Sequence, residues 1–398
     1  MKLFKSHSLV ILYHVIFAVL IYGVIKTSGT VYIKKLSIFY ICFLLTYCIS
    51  YYFLIKKKLK IPFKFKSINL NNRISILPIT SVVFILLHLL YLGEFHAISA
   101  LKLNTITEVM QLRRSITAES NLLVNYIASF NIKGMIPFTL LALLILKKKK
   151  LYWILFVLGS FYVFCLMQKS YIIVILAPVL IYSLLKLKWF SLVKYCSVIT
   201  TVILSLILIQ NPEISKSETE NEKISKINSK TKPTTSNSTI KTILIGLEKR
   251  ILIVPGKTIT GWFKHIPKDL PYLNGSGYRF AKFITKKEYS NYAKELYPLM
   301  YPNYAARGIK GNVNVASFMY DYANFGWKGF IISGISIGLL FIFIERLFMG
   351  RFVLKLSINT IPVFLLSSQA ITTALFSGGW ALMLILYFLF IKKEDFNI

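Results

Sequence analysis

The sequence predicts an all-α, polytopic membrane protein: a helical bundle with one large loop domain. Of the 398 residues, 56% are apolar and only 16% are charged, whereas about a quarter of the residues in a soluble chain are charged. Apolar runs of membrane-spanning length recur along the whole chain. The formal net charge is +33, but most basic residues stand in short clusters between the apolar runs. We therefore expect membrane lipid, and no nucleic acid, as a partner.

Ten apolar runs are predicted to cross the membrane, most of them roughly 17 to 22 residues long. The fourth run contains Asn125, Asn131 and Lys133, so its first half is either part of a span or a re-entrant segment. The last run is short, and its extent depends on where a turn at Gly378 and Gly379 falls. The ten runs are 8–25, 36–55, 74–93, 124–146, 151–168, 170–185, 190–210, 327–348, 357–375 and 377–391.

The basic residues that flank these runs predict the orientation of the chain. If the N-terminus is inside, the short inner segments carry 20 Lys and Arg residues and the short outer loops carry 7. This asymmetry places both termini in the cytoplasm, which an even number of spans allows. The chain then divides into seven spans over 1–210, a large outer loop over 211–326 and three spans over 327–398.

The large loop is predicted to have two parts. Residues 211–239 are rich in Ser, Thr, Lys, Glu and Asn, which predicts a flexible linker. Residues 240–326 interleave aromatic residues with Gly and Pro and should form an ordered domain with amphipathic helices against the membrane. Within this domain, the apolar positions of 241–254 recur at helical spacing. They predict an interfacial helix that Pro255 and Gly256 end.

Cationic side chains on the predicted outer face form the first candidate site. Lys169 lies in a tight turn between two spans, where a charge is costly unless it is paired. Guanidinium groups bind phosphate oxygens in a bidentate manner, so the outer arginines suit a diphosphate at the headgroup plane. Snorkelling to anionic lipid headgroups is the alternative for each of them. These arginines are Arg113, Arg114, Arg250, Arg279 and Arg307.

The segment that leads into the eighth span is the second candidate site. Its last residues, Gly326 and Gly329, permit a turn or a close helix contact where the chain enters the membrane. An ordinary capped helix with packing glycines is the alternative. One side of a helix in this segment would carry Asn314, Phe318, Asp321 and Phe325.

These features resemble the oligosaccharide repeat-unit polymerases of O-antigen and capsule (Wzy type), which are relatives of the O-antigen ligases. The resemblance rests on the span layout with one large late loop, on Arg250 and Gly261 with ten residues between them, and on the segment from Asn314 to Gly329. A second pair of Arg and Gly with this spacing, expected in an earlier loop, is absent. Asn314 and Ala316 stand where the ligase pattern has His and a small polar residue, which favours a polymerase.

The resemblance implies a GT-C-like bundle in the bacterial inner membrane, with the large loop in the periplasm. It implies transfer of a glycan from undecaprenyl diphosphate to the sugar of an incoming lipid-linked repeat unit, without metal or cofactor. The four cysteines lie inside apolar runs and form no metal-ligating pattern. Further implied partners are a chain-length regulator and a flippase. The residues expected to hold the diphosphate are Arg250, Arg279 and Lys169, with help from Arg307.

Asp321 and His265 are the candidates for orienting or deprotonating the acceptor hydroxyl, and a structural role is the alternative for both. The competing functions are an O-antigen ligase and a transporter or flippase of lipid-linked oligosaccharide. A flippase needs polar residues through the middle of the bundle, whereas here they concentrate at the predicted outer face. Four tyrosines could stack on sugar rings or serve as core residues: Tyr278, Tyr297, Tyr301 and Tyr304.

Overall fold

The computed structural model describes residues 5–56, 74–118, 121–212, 246, 248–279 and 286–390. Within these ranges the chain is helical and contains no β-strand. Three π-helical turns adjoin α-helices, at Tyr52–Lys56, Asn131–Met135 and Lys249–Ile253. The α-helices are Ser8–Ser28, Ile33–Tyr51, Ile76–Leu92, His96–Leu101, Ile106–Ala118, Leu122–Phe130, Ile136–Ile145, Lys149–Cys165, Lys169–Leu185, Trp189–Gln210, Val254–His265, Tyr292–Met300, Pro302–Ala305, Ser317–Phe325, Trp327–Leu347, Phe352–Leu365, Ile371–Leu375 and Trp380–Phe390.

The helices indicate a helical membrane protein, and the all-helical class predicted from the sequence is confirmed for the described residues. The count of ten spans and the position of the large loop remain predictions. Shorter apolar helices of 10–17 residues are Ile76–Leu92, Lys169–Leu185, Phe352–Leu365 and Trp380–Phe390. Five described helices are long and apolar enough to cross a membrane: Ser8–Ser28, Ile33–Leu54, Leu123–Ile145, Trp189–Gln210 and Trp327–Leu347.

Some predicted features lie outside the described residues. They are nearly all of the linker 211–239, most of the basic cluster 56–73, most of the segment 241–247, and Lys392 and Lys393. The chain divides into two compact units. The first unit is formed by Met1–Lys64, Thr234–Lys355 and Pro362–Ala374, and the second by Phe65–Pro233, Leu356–Ile361 and Leu375–Ile398.

The core of the first unit is aromatic. Tyr13, on the first helix, packs edge to face against Phe43, with ring centroids 5.2 Å apart. Gly334 lets the helix Trp327–Leu347 approach the second helix closely, because a Cβ on Gly334 would lie 2.8 Å from the carbonyl oxygen of Phe39. These long helices therefore pack backbone to backbone around buried rings.

Glu345 and Lys355 form an ion pair inside the first unit, with each side chain only 3% exposed. The Lys355 ammonium also donates to the carbonyl oxygen of Lys5 at 2.8 Å. The neighbouring Arg346 donates to the carbonyl oxygen of Leu54. These polar links connect the N-terminal segment and the ends of three helices at one place.

The helix Val254–His265, called the loop helix below, follows the π turn Lys249–Ile253 without a break. The prediction that Pro255 and Gly256 end a helix is therefore wrong. Pro255 lies in the first turn of the loop helix, where its missing N–H leaves no hydrogen bond unmade. Gly256 contacts the first helix so closely that a Cβ on it would lie 2.0 Å from the carbonyl carbon of Gly23.

The loop helix runs beside the first helix in the same chain direction. After the Gly23–Gly256 contact, Thr260 Oγ1 lies 3.0 Å from Thr27 Oγ1 and 3.2 Å from Ser28 Oγ. Because the two helices run parallel, the π turn before Gly256 lies along the part of the first helix that precedes Gly23. This apolar helix is itself a candidate span.

The helix Ser317–Phe325, called the junction helix below, leads into the long helix Trp327–Leu347. Between them, Gly326 has φ +61°, a backbone conformation that side chains with a Cβ rarely adopt. Gly329 packs against the middle of the junction helix, since a Cβ there would lie 2.0 Å from the carbonyl oxygen of Asp321. The turn and close contact predicted for these glycines are confirmed.

Asn314 lies before the junction helix, so the prediction that it shares a helix face with Asp321 is wrong. Along 312–315, exposed asparagines alternate with the buried Val313 and Val315. Such alternation is the pattern of extended chain, which β-branched valine favours. The helix begins only at Ser317, which leaves the exposed Asn314 on the extended segment.

The predicted ninth span, 357–375, is interrupted. The helix Phe352–Leu365 ends, and a short helix begins only at Ile371. In the interruption, the carbonyl oxygen of Leu366 accepts from the N–H of Ser317 at 2.8 Å. The first N–H groups of a helix have no partner within it, so the interrupted chain provides one for the junction helix.

The second unit contains three similar helical hairpins. Their connecting turns carry Lys147, Met167 and Leu187 at φ values of 56°, 54° and 52°, the left-handed conformation that commonly ends helices. The interruption predicted in the fourth run takes the form of the π turn Asn131–Met135 within a continuous helix. Gly134 allows this π turn to contact Gly379, because a Cβ on Gly134 would lie 3.2 Å from the Gly379 carbonyl oxygen.

Candidate functional site

Asp321 is the centre of the candidate site in the first unit. It lies on the junction helix and is only 4% exposed. Its Oδ1 accepts a hydrogen bond from the Tyr278 hydroxyl at 2.5 Å. Burial raises the pKa of the Asp321 carboxyl to about 6, although the hydroxyls of Tyr278 and Ser333 act in the opposite direction. The carboxyl therefore binds a proton far more readily than an exposed aspartate does.

Buried hydroxyl groups lie in the same region. The hydroxyl oxygens of Tyr13, Ser317 and Ser333 are buried, and the Ser333 hydroxyl favours the charged form of Asp321. The junction helix thus joins a carboxyl group and several hydroxyls at the point where the chain enters a candidate span.

The segment 271–279 is held in place by the end of the junction helix. Asn324 Oδ1 accepts from the N–H groups of Gly275 and Gly277, both at 3.1 Å. A side chain at Gly277 would collide with Asn324, since a Cβ would lie 2.7 Å from its Nδ2 atom. These contacts fix the position of Tyr278, and with it the start of the Arg279 side chain.

Arg279 stacks on an aromatic ring beside this segment. Its Cζ lies 5.4 Å from the ring centroid of Tyr289, a cation–π arrangement that leaves the guanidinium exposed. Tyr289 and Asn324 also line a small pocket next to Trp262, with room for about one water molecule. An exposed cation therefore directly follows, in the chain, the tyrosine that is hydrogen-bonded to the buried Asp321.

His265 forms a dyad with a residue that the sequence reasoning missed. Its Nδ1 lies 2.5 Å from Asp269 Oδ2, and the two side chains are 14% and 39% exposed. With Nδ1–H donated to the carboxylate, Nε2 of a neutral imidazole is left as an acceptor. The spacing of four residues between His265 and Asp269 was the sequence signal for this pair.

The dyad and the junction helix belong to one packed layer. The Tyr322 hydroxyl donates to the carbonyl oxygen of Ile266 at 3.3 Å. Ile266 directly follows His265 in the chain. The Trp262 indole donates to the carbonyl oxygen of Val313 at 3.0 Å. The loop helix is thus held against both the junction helix and the extended segment before it.

Arg250 is exposed and lies in the π turn Lys249–Ile253. Leu252, in the same turn, is in contact with the first helix, because a Cβ on Gly23 would lie 2.3 Å from the Leu252 carbonyl oxygen. π turns inside helices often mark functional sites. Gly261, the second residue of the predicted Arg–Gly pair, is a packing residue, since a Cβ there would lie 2.3 Å from Met300 Cε.

Three of the four predicted sugar-stacking tyrosines form an aromatic row. The rings of Tyr297 and Tyr301 are 5.5 Å apart, and those of Tyr301 and Tyr304 are 6.4 Å apart. Lys257 lies 5.5 Å from the ring centroid of Tyr301, and Tyr304 is 53% exposed. Tyr278 differs from this row because its hydroxyl is bound to Asp321.

The remaining predicted residues fall in different places. Arg307 and Asn314 are exposed in the first unit. Lys169 belongs to the second unit, where it is the first, half-buried residue of the helix Lys169–Leu185. Arg113 and Arg114 are exposed on the helix Ile106–Ala118 of the same unit. The structure brings Asp321, His265 and Arg279 into one packed layer, while Arg250 lies beside the first helix.

A metal centre has no ligand set in the described residues, where no three His, Cys, Asp or Glu side chains come together. The candidate polar groups described in the first unit are exposed arginines, one His–Asp dyad and a buried carboxyl. Comparison with family models, with curated proteins and with solved structures gives no match to this chain.

Proposed function

We propose that this protein polymerises oligosaccharide repeat units carried on undecaprenyl diphosphate at the periplasmic face of a bacterial inner membrane. The product would be O-antigen or capsular polysaccharide. The hydrogen bond between Tyr278 and Asp321 is the observation that carries this proposal. It joins the cation-bearing part of the large loop to the segment that enters a candidate span, where a lipid-linked substrate would present its diphosphate.

The proposed reaction transfers a glycan to a hydroxyl group. The acceptor oxygen forms a bond to the anomeric carbon of the donor, while the bond from that carbon to the diphosphate oxygen breaks. The electron pair leaves with undecaprenyl diphosphate, and the acceptor proton passes to a base. Because negative charge collects on the diphosphate, fixed cations stabilise the transition state. Arg250 and Arg279 of the first unit are proposed to bind it, with Arg307 assisting.

His265 is the proposed base. Its ring is partly exposed, and Asp269 orients it, so that Nε2 can reach a hydroxyl group outside the loop helix. Asp321 is too buried to reach a sugar directly. We assign it a positioning role, in which its carboxyl holds Tyr278 and thereby the neighbouring Arg279.

The aromatic row Tyr297, Tyr301 and Tyr304 is the proposed platform for sugar rings. Sugar rings present apolar C–H faces that pack on aromatic side chains, and the exposed Tyr304 is open to such contact. The Lys257 ammonium beside Tyr301 is proposed to bind sugar hydroxyls or a phosphate oxygen.

Two other functions compete with the polymerase. An O-antigen ligase would move a finished glycan to another lipid acceptor, but Asn314 stands at the position of the ligase histidine. A flippase or transporter would carry the polar head across the bundle. The exposed arginines, the His265–Asp269 dyad and the exposed Tyr304 of the first unit favour an enzyme that works at one face.

A polysaccharide gel of the host bacterium tests the proposal. Deletion of the gene should leave surface lipid that bears single repeat units, because one unit can still be attached when polymerisation fails. Complete loss of surface glycan would instead indicate the flippase or the ligase. In the complemented strain, Arg250→Ala should abolish the ladder at unchanged protein level, whereas Lys264→Ala, at an exposed cation near the other end of the loop helix, should keep it. A normal ladder with Arg250→Ala would contradict the role of this arginine.

A further inference from the structure

The four residues 29–32 connect the first two helices, Ser8–Ser28 and Ile33–Tyr51. Gly29 follows the first helix with φ +61°, and Tyr32 is the N-cap residue of the second. Both helices belong to candidate spans, so we expect the 29–32 turn to lie at a membrane surface. This turn and its neighbours on the two helices contact the loop helix at several points.

Tyr32 stacks on Phe263 of the loop helix. The two rings are nearly parallel, with an angle of 10° between their planes and 4.6 Å between their centroids. Tyr322 and Phe330 pack against Phe263 as well, with ring centroids 5.0 Å and 6.0 Å away, and Phe263 is only 6% exposed. Phe263 is therefore held between the 29–32 turn and the junction helix by aromatic contacts, which stabilise beyond the area that they bury.

Two further contacts hold the same half of the loop helix. The Lys35 ammonium lies 5.6 Å from the ring centroid of Phe263 and 5.9 Å from that of Tyr32, a cation–π arrangement with both rings. The Thr260 hydroxyl lies within hydrogen-bonding distance of Thr27, at the end of the first helix. A hydroxyl pair, a ring stack and a cation thus attach the second half of the loop helix to the first two helices.

The His265–Asp269 dyad lies directly beyond these contacts. His265 is the last residue of the loop helix, two positions after Phe263. The turn that follows is bonded internally, since the N–H of Asp269 donates to the carbonyl oxygen of His265 at 2.7 Å. Local contacts therefore set the geometry within the dyad. Its location in the first unit depends on Phe263 and on the hydrogen bond from Tyr322 to Ile266.

We propose that Tyr32 is a positioning residue for the His265–Asp269 dyad. Through its stack on Phe263, it fixes the height of the imidazole relative to the ends of two spans. The inference rests on the proposed function, in which His265 is the base. The sugar of a lipid-linked donor lies at a set height, because its charged diphosphate stays out of the hydrocarbon. A displacement of about 1 Å can cost about a hundredfold in rate, so the height of the base matters.

Polymer formation by the purified full-length protein from lipid-linked repeat units tests this role. Tyr32→Ala removes the ring and should lower kcat by about tenfold or more, with little change in KM, because Tyr32 acts on the base and not on the substrate. Tyr32→Phe keeps the stack and should restore the wild-type rate. A kcat of Tyr32→Ala equal to that of the wild type would overturn the proposal.

Tyr22→Ala is the matched control. Tyr22 lies on the first helix, is 43% exposed and has the Lys26 ammonium 5.7 Å from its ring centroid. It is thus a tyrosine and lysine pair of the same kind, with no ring contact to the loop helix among the described residues. Its variant should turn over like the wild type. A loss as large as that of Tyr32→Ala would show that any tyrosine of this region has the same effect, and would contradict the proposal.

A double variant separates positioning of the dyad from a general loss of structure. If Tyr32 acts through His265, Tyr32→Ala combined with His265→Gln should be no slower than His265→Gln alone, because an absent base cannot be misplaced. If the two losses instead add up, Tyr32 supports the protein by another route and the proposal is wrong.

Chemical modification of His265 provides a readout that needs no turnover. Diethyl pyrocarbonate reacts with accessible neutral imidazoles, and mass spectrometry measures its reaction with this ring, which is 14% exposed. In Tyr32→Ala the rate should rise several-fold, while Tyr32→Phe and Tyr22→Ala keep the wild-type rate. Equal rates in all four proteins would refute the positioning. If the rates change as expected but the wild type makes no polymer, the proposed function fails and the positioning of the dyad by Tyr32 stands.

Discussion

Tyr278 and Asp321 stand 43 positions apart in the chain and share a hydrogen bond of 2.5 Å. The bond links the segment 271–279 with a helix that leads into a candidate span. Because Arg279 follows Tyr278 directly, the buried carboxyl influences the position of a surface cation. This relationship explains why one acidic residue can matter for a site that it does not reach.

The buried carboxyl should make stability depend on pH. The pKa of Asp321 is about 6 in the folded protein against an ordinary 3.8. Between these values the folded chain binds more protons than the unfolded chain, so the free energy of unfolding falls as pH rises. A tenfold difference in proton affinity between the two states corresponds to about 1.4 kcal/mol. We expect the melting temperature of the wild type to fall over this range and that of Asp321→Asn to fall less.

The exposed Glu288→Gln serves as the control for this measurement and should follow the wild type. Tyr278→Phe removes the hydroxyl that favours the charged carboxylate, so the decline should continue to higher pH. Identical pH profiles for wild type and Asp321→Asn would contradict the assignment.

The His265–Asp269 dyad should matter for turnover and not for folding. With Asp269→Asn, the imidazole keeps a neighbour of the same size but loses the carboxylate that orients it. We expect polymer formation from purified lipid-linked repeat units to slow by about tenfold or more, with little change in KM. Lys268→Ala, an exposed neighbour, is the control. Wild-type rates in both His265→Gln and Asp269→Asn would exclude the dyad as the base.

The contact between Gly23 and Gly256 should tolerate no side chain. In Gly256→Ala, the added Cβ would lie 2.0 Å from the Gly23 carbonyl carbon, so the two helices must separate. Overpacking of this kind costs about 1–3 kcal/mol. Gly246→Ala is the matched control, because a Cβ on Gly246 meets no atom within 4 Å. Melting curves in micelles should separate the two variants; equal curves would show that the helices are not in contact.

The buried ion pair of Glu345 and Lys355 predicts a non-additive pair of substitutions. Glu345→Gln leaves the Lys355 ammonium without its carboxylate, which should cost about 3–5 kcal/mol. The double variant Glu345→Met with Lys355→Met removes both charges and should regain most of that loss. The half-exposed Glu94 gives a control, Glu94→Gln, with little expected effect. If the double variant were less stable than either single variant, the ion pair would stabilise the fold more than two methionines do.

Hydrophobic patterning predicted the helices well and their interruptions poorly. The apolar run 8–25 appears as the helix Ser8–Ser28, because its length and composition leave the backbone few alternatives in lipid. The break after Leu365 depends on a tertiary partner, since the Leu366 carbonyl accepts from Ser317. Local sequence carries no signal for such a contact. Pro255 misled the prediction because a proline can begin a helix as readily as it ends one.

The candidate site was predictable in its residue types and not in its contacts. Asp321, Arg279 and Tyr278 could be singled out from their charge and position. The hydrogen bond between Tyr278 and Asp321 could not be predicted, because residues 43 positions apart show no spacing pattern that indicates a contact. Asp269 could have been found from its four-residue distance to His265.

The pairing of the loop helix with the first helix has a consequence for how the protein is made. Thr27 and Thr260 are 233 positions apart, so the first helix leaves the ribosome long before its partner exists. The face of the first helix that carries Gly23 therefore lacks its partner, the loop helix, until translation has passed Gly256. Assembly of the first unit is therefore a late event, completed only after most of the second unit has been synthesised.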